Sequence, residues 1–231
     1  YLYYHSTNND EVTEVFIQNS DHFKFVETMS DKEIADLIEE DGIDILVTLA
    51  GRFDENRPLV STYKPAPVQV SFHDCATSGL AAMDYYLTDS IIHPLTTKDK
   101  FTEELYRLPT YYQYPVIKSK SLINNTPALQ NGYITFCSFS KPEKISDEVV
   151  KLWSDILHVV PNSRLLMKYF EYYSSPSLRT RTIQRFTKHN INKERLILDG
   201  SNKTRTDHLT LYHQADISLD PFPFNGATTT F

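Results

Sequence analysis

Cysteine is almost absent from this sequence. Two occur in 231 residues, Cys75 and Cys137, far apart and in or beside apolar stretches. That argues against a disulfide scaffold and predicts buried free thiols in a reducing compartment. No apolar run reaches the length needed to span a bilayer, and no signal peptide precedes Tyr1. A cytoplasmic protein with no membrane partner is expected. Positive charge is in short supply, with a net charge of −7. This argues against nucleic acid as the main partner, yet leaves room for a locally positive pocket that takes a small phosphorylated ligand. Metal-ligand patterns are missing too. No Asp-x-Asp pair occurs, and the eight histidines form no ligating set. His208 and His213 are five apart and diverge around a helix. His73-Asp74-Cys75 is a run of neighbours whose side chains point apart in a strand, so it reads as coincidence. There is no solenoid repeat and no low-complexity tract.

What is present is an ordinary globular composition, 40% hydrophobic and 23% charged, long enough for one large domain or two small ones. The pattern alternates strand and helix. Tyr1–Tyr4 reads as a strand. Asp10–Gln18 reads as a helix with Val12, Val15 and Phe16 on one face, and His22–Val26 as a strand. Ser30-Asp-Lys-Glu33 is a capping box that opens a helix with Ile34, Leu37 and Ile38 in register, and Gly42 ends it. Ile43–Leu49 is a β-rich run suited to a buried parallel strand. A short helix to Tyr63 and strands at Val68–Phe72, Tyr85–Leu87 and Glu104–Leu108 follow. From about Tyr111 to Asn131 the rhythm is lost among Pro, Ser, Asn and Gln, which marks a linker. A second alternation then begins: strands at Tyr133, Arg164, Arg195 and Ile217, separated by helices at Asp147–Val159, Leu178–His189 and Thr206–Gln214. Repeated β-α-β units imply parallel sheets with helices on both faces, an α/β fold. Ile45, Val47, Val68, Phe136, Trp153 and Ile217 are the expected core.

The second half also predicts where a ligand binds. In a doubly wound sheet ordered 3-2-1-4, strands one and four are neighbours, and the reversal of winding between them opens a crevice at their carboxyl ends. The loop after strand one is Ser140-Lys-Pro-Glu-Lys144, and the loop after strand four is Pro221–Thr230. One supplies lysines. The other supplies Asn225-Gly226, which opens the backbone, and the hydroxyl residues Thr228, Thr229 and Thr230 where a helix should begin. Free N–H groups and the helix dipole make such a start an anion site, so both loops together suit a pyrophosphate. The chain stops at Phe231, before that helix completes a turn, as though cut inside its phosphate site.

The residues that carry this pattern resemble the catalytic region of protein O-GlcNAc transferases, the bacterial relatives especially. In the second half they are Phe136-Cys-Ser-Phe-Ser140, Lys144-Ile145, Trp153-Ser-Asp-Ile-Leu157 and Val160-Pro-Asn-Ser-Arg-Leu-Leu-Met-Lys168. Arg195-Leu-Ile-Leu198, His208-Leu209 and Ala215-Asp-Ile-Ser-Leu-Asp-Pro-Phe-Pro-Phe-Asn-Gly-Ala-Thr-Thr-Thr230 continue the match. In the first half they are Asp41–Gly51, Pro65–Val70, Thr77-Ser-Gly79 and Met83-Asp-Tyr85. The resemblance implies two Rossmann-like domains of GT-B type, both incomplete in this sequence. Residues 1–116 would be the acceptor-side domain lacking its first strand, 117–131 the linker, and 132–231 the donor-nucleotide domain. It implies a metal-independent glycosyltransferase that needs no cofactor. N-acetylglucosamine or a related sugar would move from a UDP-sugar, UDP-GlcNAc in the first instance, to Ser or Thr hydroxyls of a protein acceptor. Lys144 would stabilise the leaving diphosphate, Thr228 and Thr229 would bind it with Asn225, Gly226 and Thr230, and His208 would lie against the uridine. An asparagine or sugar acceptor, or a non-catalytic nucleotide-sugar-binding or scaffold module, are the alternatives.

The sequence departs from that family in places. Where relatives carry a Gly-Tyr-Pro-Gly-like loop, this chain has Phe72-His-Asp-Cys-Ala76, which alters the sugar side, since glycines there permit close backbone approach. Ala227 stands where some relatives have a histidine. The family's His-Pro-x-x-His segment, the acidic ribose-binding residue and the tetratricopeptide repeats are not in the sequence. The span alone is therefore expected to be inactive as a transferase.

Overall fold

A computed structural model describes residues 1–49, 56–72, 76–110, 123–201, 205–226 and 230, with the backbone alone at 205–207. The chain divides into two compact units, Tyr1–Gln113 and Tyr114–Phe231. Both are built from parallel strands joined through helices or turns.

In the first unit, β1 (Leu2–Tyr4) pairs in parallel with β2 (Phe23–Phe25) across helix α1 (Glu11–Asn19). Asp10 caps α1, its Oδ1 accepting from the Val12 and Thr13 amides. Helix α2 (Asp31–Glu40) starts at the expected capping box: the Glu33 amide donates to Ser30 Oγ, and the Ser30 amide to Glu33 Oε2 at 2.7 Å. Gly42 then turns the chain at φ +65°, a conformation open to glycine at little cost. Strands β3 (Ile45–Leu49), β4 (Val68–Phe72), β5 (Tyr85–Asp89) and β6 (Glu104–Leu108) form one parallel sheet in sequence order. Ile34, Ala35 and Ile38 of α2 bury against Val26 and Val60.

Three expectations about burial fail here. Val12, Val15 and Phe16 on α1 are each more than half exposed. Ile45 and Val47 are 59% and 44% exposed. Strand β3 is the edge of its sheet, and α2 covers only the face that carries Leu46. Ile217 in the second unit, 46% exposed, is likewise on an edge strand.

The second unit contains α3 (Ala128–Asn131), β7 (Thr135–Ser138), α4 (Asp147–Val159), β8 (Arg164–Lys168), α5 (Pro176–Thr187), β9 (Leu196–Asp199), α6 (Arg205–Thr210) and β10 (Ile217–Ser218). The sheet runs β10-β7-β8-β9, all parallel. This is the anticipated reversal, with the first and last strands as neighbours. Helix α4 is capped by Ser146, and its 3.6-residue stripe buries Val149, Val150, Trp153 and Leu157 against Phe136, Leu165 and Met167. Arg195 closes the helix-to-strand corner by donating to the carbonyls of Leu157, Val160 and Ser163. The short helix α3 stands where the sequence shows no periodicity. Its Ala128 amide donates to the Asp216 carboxylate at 2.9 Å. No helix among the described residues is long and apolar enough to cross a membrane.

Candidate functional site at the carboxyl edge of the second sheet

Register decides what meets at this edge. Strand β10 pairs with β7 through Ile217–Phe136 and Ser218–Cys137, so the two strands end within one residue of each other and their loops leave the same side. After β7, the chain folds into a single 3-10 turn at Pro142–Lys144, with the Lys144 amide donating to the Lys141 carbonyl at 3.0 Å. That turn lifts the Lys144 side chain toward the loop after β10. Its Nζ donates to the Asn225 carbonyl at 3.0 Å and lies 4.3 Å from the centre of the Phe224 ring. The two segments expected to converge therefore do so, though they are 81 residues apart in sequence.

Asp220 shapes the second loop. Its Oδ1 accepts from the Gly226 amide at 2.7 Å and its Oδ2 from the Thr230 hydroxyl at 3.1 Å. The carboxylate thus closes the segment 220–230 on itself, and Thr230 takes part in that closure. Thr228 and Thr229 lie outside the described residues, as do Ala227 and the His73-Asp74-Cys75 run.

His208 lies on α6 at the same edge of the unit. Its ring meets Phe139, the residue just after β7, edge to face at 5.3 Å and Tyr212 at 6.2 Å. Burial pushes the imidazole below its ordinary pKa. The ammonium ion of Lys168 pushes the same way, and the Asp199 carboxylate opposes it. A neutral ring at pH 7 follows. Among the described residues no cluster of His, Cys, Asp or Glu is placed to hold a metal ion. Cys137 is a buried free thiol.

Three residues of this edge went unnoticed in the sequence. Lys168, the last residue of β8, is 2% exposed. Gly200, just after β9, lies against the backbone of Tyr173 and Ser174. Asp220 stands just before the loop Pro221–Thr230. A lysine closing the apolar run Leu165-Leu-Met167 was the available signal for the first, and the scarcity of glycine, six in the chain, for the second.

With this geometry in hand, comparison with known proteins places the chain. The profile of glycosyl transferase family 41 matches residues 1–114 and 119–231. The probable UDP-N-acetylglucosamine–peptide N-acetylglucosaminyltransferase SPINDLY of Arabidopsis thaliana is 39% identical over 210 residues, 90% of this chain and 23% of that protein. Its namesake from Oryza sativa subsp. japonica is 37% identical over 204 residues, 87% of this chain and 22% of that one. A solved lysine-to-methionine mutant of the Thermobaculum terrenum O-GlcNAc transferase superposes with a TM-score of 0.89 at 30% identity, over 98% of this chain and 43% of that chain. The chain spans less than a quarter of the length of these two plant relatives. Its sequence match and its fold agree: the chain belongs to glycosyl transferase family 41.

Proposed function

We propose that this chain carries the donor side of a protein glycosyltransferase, one that moves N-acetylglucosamine or a related sugar from UDP to Ser or Thr hydroxyls of an acceptor protein. The names of its relatives support the reaction class. The contact between Lys144 and the Asn225 carbonyl supports the site. In such a transfer the bond between the anomeric carbon and a diphosphate oxygen breaks, and its electron pair leaves with UDP. The acceptor oxygen forms the new bond to that carbon and gives its proton to a general base. Negative charge grows on the leaving diphosphate. A fixed ammonium ion beside a helix start can stabilise it without a metal ion. Lys144 would be that ammonium, and Asn225, Gly226 and Thr228–Thr230 would form the cradle. His208, neutral and set among aromatic rings, would lie against the uracil.

The test is Lys144→Ala, read by calorimetric titration with UDP and with uridine. A hydrogen bond to a charged group contributes about 1.5–3 kcal/mol, so UDP should bind roughly ten- to a hundred-fold more weakly. Uridine, which carries no diphosphate, should bind as before. Turnover in the full gene product should fall at least as far, with melting temperature little changed. UDP affinity equal to that of the unaltered protein would defeat this reading.

A further inference from the structure

We infer that Lys168 is a positioning residue of the nucleotide side of this crevice, tying the ends of β8 and β9 together and holding a positive charge beside His208. The inference rests on the nucleotide reading above and deepens it.

Lys168 is among the largest fully buried side chains of the molecule. A buried ammonium ion is costly unless oxygen atoms surround it. Here its Nζ donates to the carbonyls of Phe170, at 2.8 Å, and Ser201, and it stands 3.8 Å from the Asp199 carboxylate. Phe170 belongs to the turn after β8, and Ser201 to the turn after β9. Lys168 and Asp199 are the last register pair of these strands, so one ammonium spans both strand ends. An apolar side chain would fill the same volume without burying a charge. What the lysine adds is donors for two loop carbonyls and a field felt by the neighbouring imidazole.

The loop it holds is unusual. Phe170 has φ +40°, a left-handed backbone that a bulky residue adopts only when its surroundings impose it. The residue is 70% exposed. Lys168 binds the carbonyl of that strained residue and so fixes the direction in which the aromatic ring leaves the sheet. His208 packs on Phe139, one step beyond the Ser138–Met167 register pair, which sets the imidazole at the strand ends where Lys168 stands. Of the charged groups there, Lys168 from β8 lowers its pKa and Asp199 from β9 raises it. The uncharged faces belong to Phe139 and Tyr212. An uncharged nucleobase is met better by a neutral imidazole than by an imidazolium that must lose its water. Lys168, spent on backbone carbonyls and on His208, would act through these neighbours and never touch the ligand.

The experiment follows the His208 Cε1–H resonance through a pH titration, and titrates uridine and UDP by calorimetry, in the unaltered chain, Lys168→Met, Lys168→Arg and Lys144→Ala. The His208 midpoint of the unaltered chain should lie below that of free imidazole side chains. Lys168→Met should raise it and weaken uridine and UDP alike by about tenfold, while Lys168→Arg, which keeps the charge, should hold the midpoint low. An unmoved midpoint or an unmoved uridine affinity in Lys168→Met would overturn the inference. If that variant does not fold, the unaltered chain decides: a His208 midpoint at or above the free value overturns the coupling. Lys144→Ala separates the two readings. Unweakened UDP binding there sinks the diphosphate assignment, while the Lys168–His208 coupling is still judged on the titration of His208.

Discussion

Gly200 follows the last residue of β9, and a methyl group there has nowhere to go. An alanine Cβ would stand 2.1 Å from the Ser174 nitrogen, 2.3 Å from the Tyr173 carbonyl carbon and 2.6 Å from the Ser174 Cα. Carbon atoms rest about 3.5–4.0 Å apart, so something must retreat by more than about 1 Å. All three obstacles are backbone atoms, so no side-chain rotation relieves the clash. Moving the turn Tyr172–Ser174 would draw Tyr173, 1% exposed, out of the core and stretch the Arg179 bonds to the Tyr173 and Leu198 carbonyls. Overpacking of this kind costs about 1–3 kcal/mol. Against it, alanine restricts the unfolded chain and returns about 0.4–1 kcal/mol. The steric cost wins by about 1–2 kcal/mol. For a unit of this size that lowers the melting temperature by roughly 3–8 °C. Circular dichroism melts of Gly200→Ala beside the unaltered chain measure it. A melting temperature that holds or rises would show that the two backbones are not in contact, and would loosen the account of the β8–β9 edge as well. The contrast with Gly42 and Gly132 is physical. Both have φ near +70° and open space around a built Cβ, so alanine there is penalised by backbone conformation rather than by volume.

Two further outcomes are expected. Cys137 is wholly buried and its thiol is pushed up to about 11, so iodoacetamide at pH 8 should leave it unmodified in the native chain and label it after denaturation; peptide mapping that finds rapid native labelling at this position would contradict the packing of β7. Asp220→Asn keeps the shape but weakens the acceptor for Gly226 and Thr230, so the Gly226 amide should exchange faster by NMR and UDP should bind about fivefold more weakly, a loss of about 1 kcal/mol, whereas unchanged exchange would remove Asp220 from the loop's support.

The succession of strands and helices in the second unit was legible because each carries its own period, and the doubly wound rule supplied the order 3-2-1-4 that the sheet shows. The stripe Val149, Val150, Trp153, Leu157 could only be a helix face, and it buries as one. From that order the crevice followed, and with it the meeting of Lys144 and Asn225. What the sequence could not tell is which face of a strand or helix the rest of the fold would cover. Ile45 and Val47 read as buried because they are β-formers in an apolar run, yet periodicity carries no information about whether a helix arrives on that side. Helix α3 was invisible for a different reason. Its first amide is satisfied by a carboxylate 88 residues away, and nothing within Ala128–Asn131 announces that partner.

The same remoteness explains how so short a strand as β10 can place the loop that follows it. Two residues supply too few ladder bonds to hold a register on their own. Side chains do the work instead. Asp216, just before the strand, accepts from the Thr135 amide at 2.8 Å and the Ala128 amide at 2.9 Å, while its own amide donates to the Thr135 carbonyl. Asp220, just after it, gathers Gly226 and Thr230. One carboxylate seats the strand against β7, and the other folds the loop that leaves it. Slipping this strand by one residue would break the first set of bonds and turn the second away from Lys144. The convergence at the carboxyl edge is thus held from both ends of a two-residue strand, by Asp216 through the neighbouring backbone and by Asp220 through the loop itself.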